Sequence, residues 1–319
     1  MKILKYVNKI PGGMMVVPLI LGALVNTFVP QVFEIGGFTE ALFKTGATTL
    51  LAAFLFCCGA QISVKQAGIS VYKGVSLLIT KVGIGALLGV VVYHYFGMYG
   101  VLGISPLAIV AALTNKNGGL YAALAGEYGD STDVGATSII AISDGPFFTL
   151  LAFGATGLAN VPLNELFAAL IPIVIGFILG NLDEEISEFL KPGTTLLIPF
   201  FAFPLGAALN FKQLLSAGLS GILLGVACVL ITGLAGYFVF KVLKFKFPQV
   251  GAAVGATAGN AVGTPAVIAQ IDPSFKVVAS QATAQVAAAI IVTAILCPLL
   301  VSFLNKIEKN KKKGELVNE

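Results

Sequence analysis

The sequence predicts an all-α integral membrane protein of ten transmembrane helices, arranged as two inverted five-helix repeats, and three observations lead there. Of the 319 residues, 57% are hydrophobic and 11% charged, with a mean hydropathy of +0.96. No dissolved chain hides so much apolar surface. Apolar runs follow one another with only short joins between them, and three short segments recur in the same order in both halves.

Ile10 to Pro30, after Lys2, Lys5 and Lys9, begins like a secretory signal, but the apolar runs that follow identify it as a first span. Further helices are predicted at Leu42 to Ile62, Val71 to Phe96, Ser105 to Glu127, Val134 to Thr156 and Leu163 to Asn181. Four more follow at Thr195 to Asn210, Ser216 to Lys241, Pro248 to Gln270 and Lys276 to Ile307. Most of these approach or exceed the roughly 20 residues that a bilayer crossing takes. Gly36-Gly37, Gly129-Asp130, Lys191-Pro192-Gly193 and Asp272-Pro273-Ser274 punctuate the joins. No stretch remains for an extramembrane domain. The chain divides into a first repeat at 1–158, a second, inverted one at 159–307, and a basic cytoplasmic tail at 308–319.

The net charge of +4 rests on lysine alone, since the chain has no arginine. Lysines before the first helix, after the last (Lys306, Lys309, Lys311, Lys312, Lys313) and at Lys65, Lys241, Lys244 and Lys246 place both termini in the cytoplasm. Lys44, Lys212 and Lys276, with the acidic loop Asp183 to Glu188, run against that orientation. The charge is a topology signal and implies no nucleic-acid partner. Cys57, Cys58, Cys228 and Cys297 lie within apolar runs and read as small buried hydrophobes, and His94 is the single histidine. Neither a disulfide framework nor a metal site is spelled out. A membrane-embedded enzyme would need a reactive set of side chains that the chain lacks, which leaves a transporter or a passive channel.

Pro18-x-x-x-Gly22 matches Pro172-x-x-x-Gly176, Gly59 to Gln66 matches Gly206 to Gln213, and Asn115-x-x-Gly118 matches Asn260-x-x-Gly263. The offsets are 154, 147 and 145 residues. A unit of five crossings is odd, so its second copy enters the membrane upside down, which is the plan of many secondary transporters. The third pair interrupts helices four and nine, through Thr114-Asn115-Lys116-Asn117-Gly118-Gly119 and Gly259-Asn260-Ala261-Val262-Gly263-Thr264-Pro265. Irregular backbone at membrane depth is tolerated where protein or a watery cavity supplies its hydrogen bonds. Broken helices at matching positions therefore mark a transport site, with half-helix N-termini facing an anion. Asn115, Asn117, Gly118, Asn260, Gly263 and Thr264 are the predicted substrate contacts. Gln281 and Gln285, four apart on one face of helix ten, are further candidates, either as ligands of a polyol or as ties between helices.

Four stretches also carry a resemblance: Ile10 to Met15, Leu113 to Tyr121, Asp144-Gly145-Pro146-Phe147-Phe148, and Ala258 to Pro265. They resemble the 2-keto-3-deoxygluconate permease family of bacterial sugar-acid importers over essentially the whole chain. The resemblance implies proton-coupled uptake of 2-dehydro-3-deoxy-D-gluconate across the bacterial inner membrane by alternating access. By fold analogy the chain is similar to bile-acid sodium symporters and sodium/proton antiporters, with broken helices four and nine crossing. The partners implied are a small sugar-acid anion, protons and the lipid bilayer, with a homodimer left open. No cofactor is expected, and the coupling ion is the proton, with sodium left open. A related organic-anion transporter, possible sodium coupling included, is the alternative.

Ionisable groups at membrane depth are functional candidates because each is costly there. Asp144, deep in helix five, is the predicted proton carrier; Lys116 is its candidate partner or a substrate contact, and Glu127 is the next carboxylate to test. Lys81 reads as a lysine able to snorkel or to pair with an acid. Glu127, Asp130 and Asp133, where helix four meets helix five, read as a solvated loop, and His94 as an interfacial anchor beside Tyr93, Tyr95 and Tyr99.

Overall fold

Apolar segments with no water to bond their peptide groups close those bonds within the segment, as helices. A computed structural model describes residues 2–7, 13–62, 68–140, 143, 146–159, 163–208 and 218–317. Among the described residues the protein is helical, with no strand beyond one isolated bridge between Val101 and Ile104. In order come α1 (Ile3–Val7), α2 (Gly13–Phe28), α3 (Gly37–Phe43), α4 (Ala47–Ala60), α5 (Ile69–Phe96), α6 (Pro106–Thr114) and α7 (Gly118–Tyr128). Next are α8 (Ser131–Ile140), α9 (Phe147–Thr156), α10 (Leu163–Leu182), α11 (Glu184–Leu190) and α12 (Gly193–Ala207). The last are α13 (Gly218–Cys228), α14 (Leu234–Val242), α15 (Pro248–Gly251), α16 (Thr264–Ile271) and α17 (Lys276–Val317).

Among the described residues, five stretches are long and apolar enough to cross a membrane: Ile69–Phe96, Glu184–Ala207, Gly218–Val242, Pro248–Ile271 and Pro273–Lys311. A sixth appears if α3 and α4, bent by 59°, count as one span. The protein is a multi-pass membrane protein. Val17–Phe28, Phe147–Thr156 and Leu170–Leu182 are apolar but shorter. Predicted helix four falls short of a continuous crossing because it divides into α6 and α7, and the region of helix five contributes the two short helices α8 and α9.

The helices pack as two groups. In one, α2 lies on α12, and α4 on both α10 and α12. In the other, α5 packs on α6 and α8, α13 on α17, α14 on α15 and α16 on α17. The first group is locked by glycine. A Cβ on Gly22 would stand 2.2 Å from the Phe203 carbonyl oxygen, and one on Gly206 1.9 Å from that of Leu19. On the other pair, Gly176 meets the Phe56 carbonyl oxygen at 2.0 Å and Gly59 that of Ile173 at 2.1 Å. Helices cross at such backbone distances only through residues without side chains. In the second group every residue of α6 is buried, as a helix apolar on every face up to its terminal Thr114 should be.

Two sequence readings change. Helix nine does not leave helical geometry at Asn260 to Pro265. After α15 and a 3-10 turn (Ala252–Gly255), the backbone is extended at Ala256 (φ −80°, ψ 145°) and Ala258 (φ −67°, ψ 146°); a second 3-10 turn (Gly259–Gly263) leads into α16. Pro265 sits in the first turn of α16, where its missing N–H costs nothing. The extended residues of helix four are Asn115 (φ −93°, ψ 148°) and Asn117 (φ −88°, ψ 99°), so the two breaks correspond at 141 residues rather than 145. Asp133 is also not a solvated loop residue. It is fully buried and paired with the equally buried Lys73 of α5, because α8 begins at Ser131 and lays its first turn against α5.

Candidate functional site

The two breaks meet. Thr257, in the second, donates its hydroxyl to the Ala112 carbonyl near the end of α6 at 3.1 Å, and its own N–H goes to Thr293 Oγ1. Asn115 is buried; its Nδ2 donates to the Ala111 carbonyl at 3.0 Å and to Thr149 Oγ1 of α9 at 3.2 Å, which fixes the end of α6. Asn117 caps α7, its Oδ1 accepting from the Leu120 N–H at 3.0 Å. The positive end of α7 is thereby left at the edge of a space beside Lys116.

That space is a cavity of about 330 Å³ between the two helix groups, at the small end of the roughly 300–1,000 Å³ range of small-molecule sites. The second group lines it with Lys116, Asn117, Gly118, Gly119, Thr137 and Asn260, and the first with Phe54, Cys58, Gln61, Thr194, Thr195 and Ile198. Asn260 is 4% exposed, and neither atom of its amide has a hydrogen-bond partner; Thr137 Oγ1 is likewise buried and unpartnered. Buried polar atoms are ordinarily satisfied. Unsatisfied ones on a cavity wall are donors and acceptors held ready for a polar guest.

Lys116, Asn117, Gly118 and Asn260 are thus brought together on one wall. Asn115 lies behind it. Gly263 faces apolar side chains instead, a Cβ there falling 3.3 Å from Leu205 and 3.7 Å from Leu51, and Thr264 is fully buried with an unpartnered hydroxyl. Gln281 and Gln285 lie apart from this wall: both donate to the Gly103 carbonyl, Gln285 also to Ser220, so they tie α17 to a turn and to α13. Glu127 is exposed, about 14 Å along α7 from Gly118, in a separate cavity of about 420 Å³ with Gln249, Glu308 and Lys309. Asp144 lies outside the described residues. Asp130 is held down at about 2, first by the Thr132 hydroxyl bonded to it and also by Lys73 nearby. In this conformation it is held in the ionised form near neutral pH.

Thr137, Gln61, Thr194 and Thr195 were not among the predicted contacts. Nothing local distinguishes a threonine in an apolar helix, and two of these helices reach the site only through tertiary packing.

The model of the family described as 2-keto-3-deoxygluconate permease matches residues 4–310. The chain belongs to that family. It is 52% identical over 308 residues to 2-keto-3-deoxygluconate permease 1 of Salmonella typhimurium, covering 96% of each chain. The 2-keto-3-deoxygluconate permease of Bacillus subtilis is 42% identical over 319 residues, covering 98% of this chain and 96% of the relative. That of Escherichia coli O157:H7 is 38% identical over 324 residues, covering 99% of each. The protein is a permease, not an enzyme, and the cavity at the crossed breaks is its candidate substrate site.

Proposed function

We propose that the permease imports 2-keto-3-deoxygluconate across the bacterial inner membrane by proton symport, through alternating access between two inverted repeats of five spans each, with both termini cytoplasmic. The observation that carries the substrate reading is the polar wall of the cavity. The α7 N-terminus and Lys116 suit a carboxylate, while Asn260, Asn117 and Thr137 suit the hydroxyls of a sugar acid. The names of the relatives supply the particular sugar acid.

The glycine contacts support the inverted repeat. Gly22 and Leu19 meet Phe203 and Gly206; shifted by 154 residues, the first two become Gly176 and Ile173, which meet Phe56 and Gly59, the residues 147 before the second two. Helix one thus packs on helix seven as helix six packs on helix two. The same holds in the second group, where Gly89 approaches Val110 and Gly236 approaches Gly251, 147 and 141 residues on. A packing pattern shared by the two halves, with offsets that change only from helix to helix, is what a duplicated unit produces, and an odd number of spans per unit would make the second copy inverted.

The test is uptake of labelled 2-keto-3-deoxygluconate into proteoliposomes under an imposed pH gradient. Accumulation that a protonophore collapses and sodium leaves unchanged is expected. Equilibration without accumulation would identify a channel, and dependence on a sodium gradient would replace the proton as coupling ion.

A further inference from the structure

Where a helix is interrupted, the last carbonyls before the break lose their partners and carry the negative end of the helix dipole. In helix nine these belong to the turn Ala252–Gly255 and to Ala256. Cys297 approaches the Ala252 and Ala253 oxygens at 3.5 Å each, and Cys228 the Gly255 oxygen at 3.5 Å. Lys81 of α5 takes the remaining two. Its Nζ donates to the Val254 carbonyl and, at 3.2 Å, to that of Ala256, with Thr232 Oγ1 at 3.4 Å and Cys228 Sγ at 3.9 Å. The side chain is 2% exposed, and no carboxylate of the described residues lies within ion-pair distance of it. A buried ammonium without a counter-anion is costly; two backbone oxygens and a threonine hydroxyl, matching its three N–H donors, are what could offset that cost here.

The matching end of α6 is treated differently. Thr114 Oγ1 takes the Val110 oxygen, Asn115 Nδ2 that of Ala111, and Thr257 Oγ1 that of Ala112, all neutral donors. The position 147 residues after Lys81 is Cys228. Among the described residues, the broken carbonyl end of the ninth helix receives a full positive charge from a neighbouring helix, whereas the bonds at the end of α6 come from neutral donors. Two or three backbone oxygens and a threonine hydroxyl at an unwound helix are also the ligands with which transporters hold a mobile sodium ion.

We propose that Lys81 is a tethered coupling cation: its ammonium fills, as part of the chain, the carbonyl site at the broken ninth helix that a monovalent cation would otherwise occupy, so the permease needs no sodium there. Truncating the side chain should empty a site for a small cation, and the ligand class is a monovalent cation or primary alkylammonium. Lys81 is then a positioning residue, holding the break that presents Asn260 to the cavity.

The experiment compares purified wild type, Lys81→Ala, Lys81→Met and Lys81→Gln in choline, sodium and n-propylammonium chloride, reading thermal melting and uptake. Lys81→Ala is expected to melt several degrees lower in choline, to regain most of that loss with n-propylammonium or sodium, and to regain uptake at least ten-fold; wild type should respond to neither ion. Lys81→Met, which fills the space, should not be rescued. Lys81→Gln keeps donors for the carbonyls, so it should fold even if the alanine variant does not, with uptake at least ten-fold down. Wild-type uptake in Lys81→Gln, a melting temperature of Lys81→Ala that no cation shifts, or equal rescue of Lys81→Met would each overturn the proposal. The uptake arm rests on the transport reading above, whereas the melting arm stands without it, so failure of one does not imply failure of the other.

Discussion

Asn260 sets out the conflict between folding and binding at one residue. An amide buried without partners costs roughly 1–3 kcal/mol, and both polar atoms of Asn260 are in that condition. Asn260→Ala should therefore raise the melting temperature of the ligand-free permease. The same change removes bonds to the substrate, and at about 1.4 kcal/mol per decade it should weaken binding ten-fold or more. Calorimetric titration beside a melting curve checks both signs; a variant that loses stability and keeps affinity would take Asn260 out of the site. Asn260, Asn117, Gly118 and Lys116 were legible in the sequence because amides, glycine and charge in mid-span have few uses besides lining a cavity. Gln281 and Gln285 were legible only as two amides on one helix face, and sequence cannot tell a backbone carbonyl such as that of Gly103 from a ligand. Asp144 remains the proposed proton carrier: Asp144→Asn should abolish accumulation driven by a pH gradient yet leave binding and exchange measurable. Undiminished gradient-driven accumulation would send the search to Glu127.

At the level of helices, two kinds of contact decide how the elements are held. Gly59 and Gly206 each face a carbonyl oxygen at about 2 Å from a hypothetical Cβ, a distance no side chain survives without separating the helices. Gly59→Ala and Gly206→Ala should each destabilise by about 1–3 kcal/mol, the usual cost of overpacking, and by similar amounts, since they hold equivalent positions in the proposed repeats. A large difference in their melting curves would count against that equivalence. The motif pairs containing Gly22, Gly59, Gly176 and Gly206 could be read from sequence because close packing forbids substitution at all four. The Asn-x-x-Gly pair misled by four residues, since the backbone breaks where Ala256 and Ala258 are extended and alanine announces nothing. The pairing of Lys73 with Asp133 was hidden for a similar reason: burial of a helix's first turn depends on its neighbour. Removing one member of a buried pair costs about 3–5 kcal/mol, whereas replacing both with apolar groups costs little. Lys73→Met or Asp133→Leu alone should thus unfold far more readily than the double variant, as denaturant or thermal melts would register.

At the scale of the whole molecule, two of the cavities among the described residues lie in sequence along the seam between its helix groups. The cavity at Lys116 and Asn260 is lined on α4 by Phe54, Cys58 and Gln61, and a second, of about 380 Å³, is lined on α4 by Thr48, Leu51, Ala52 and Leu55. At ~1.5 Å per residue the two centres are about 9 Å apart along that helix. On helix nine the first space touches Ala258 to Asn260 and the second Val267 to Ile271, so both helices place them in sequence along the seam. Between them lie apolar contacts: Gly263 against Leu51 and Leu205, and the rings of Phe54 and Phe201 at 5.4 Å. Phe54 and Phe201, like Thr48 and Thr195, are 147 residues apart, so inversion of the proposed repeats would exchange the partners within each pair. With the cytoplasmic termini proposed above, the first space would open inward and the second outward. In a variant whose four cysteines are replaced, Thr195→Cys should then react with an impermeant thiol reagent from the cytoplasmic side and Thr48→Cys from the opposite side. Both residues are exposed in this structure. Saturating 2-keto-3-deoxygluconate should slow labelling of Thr195→Cys several-fold, because Thr195 lines the same cavity as Asn260. Labelling of both variants from one side would defeat the inverted topology. Correct sidedness with no protection by substrate would leave the topology standing and move the binding site away from the crossed breaks.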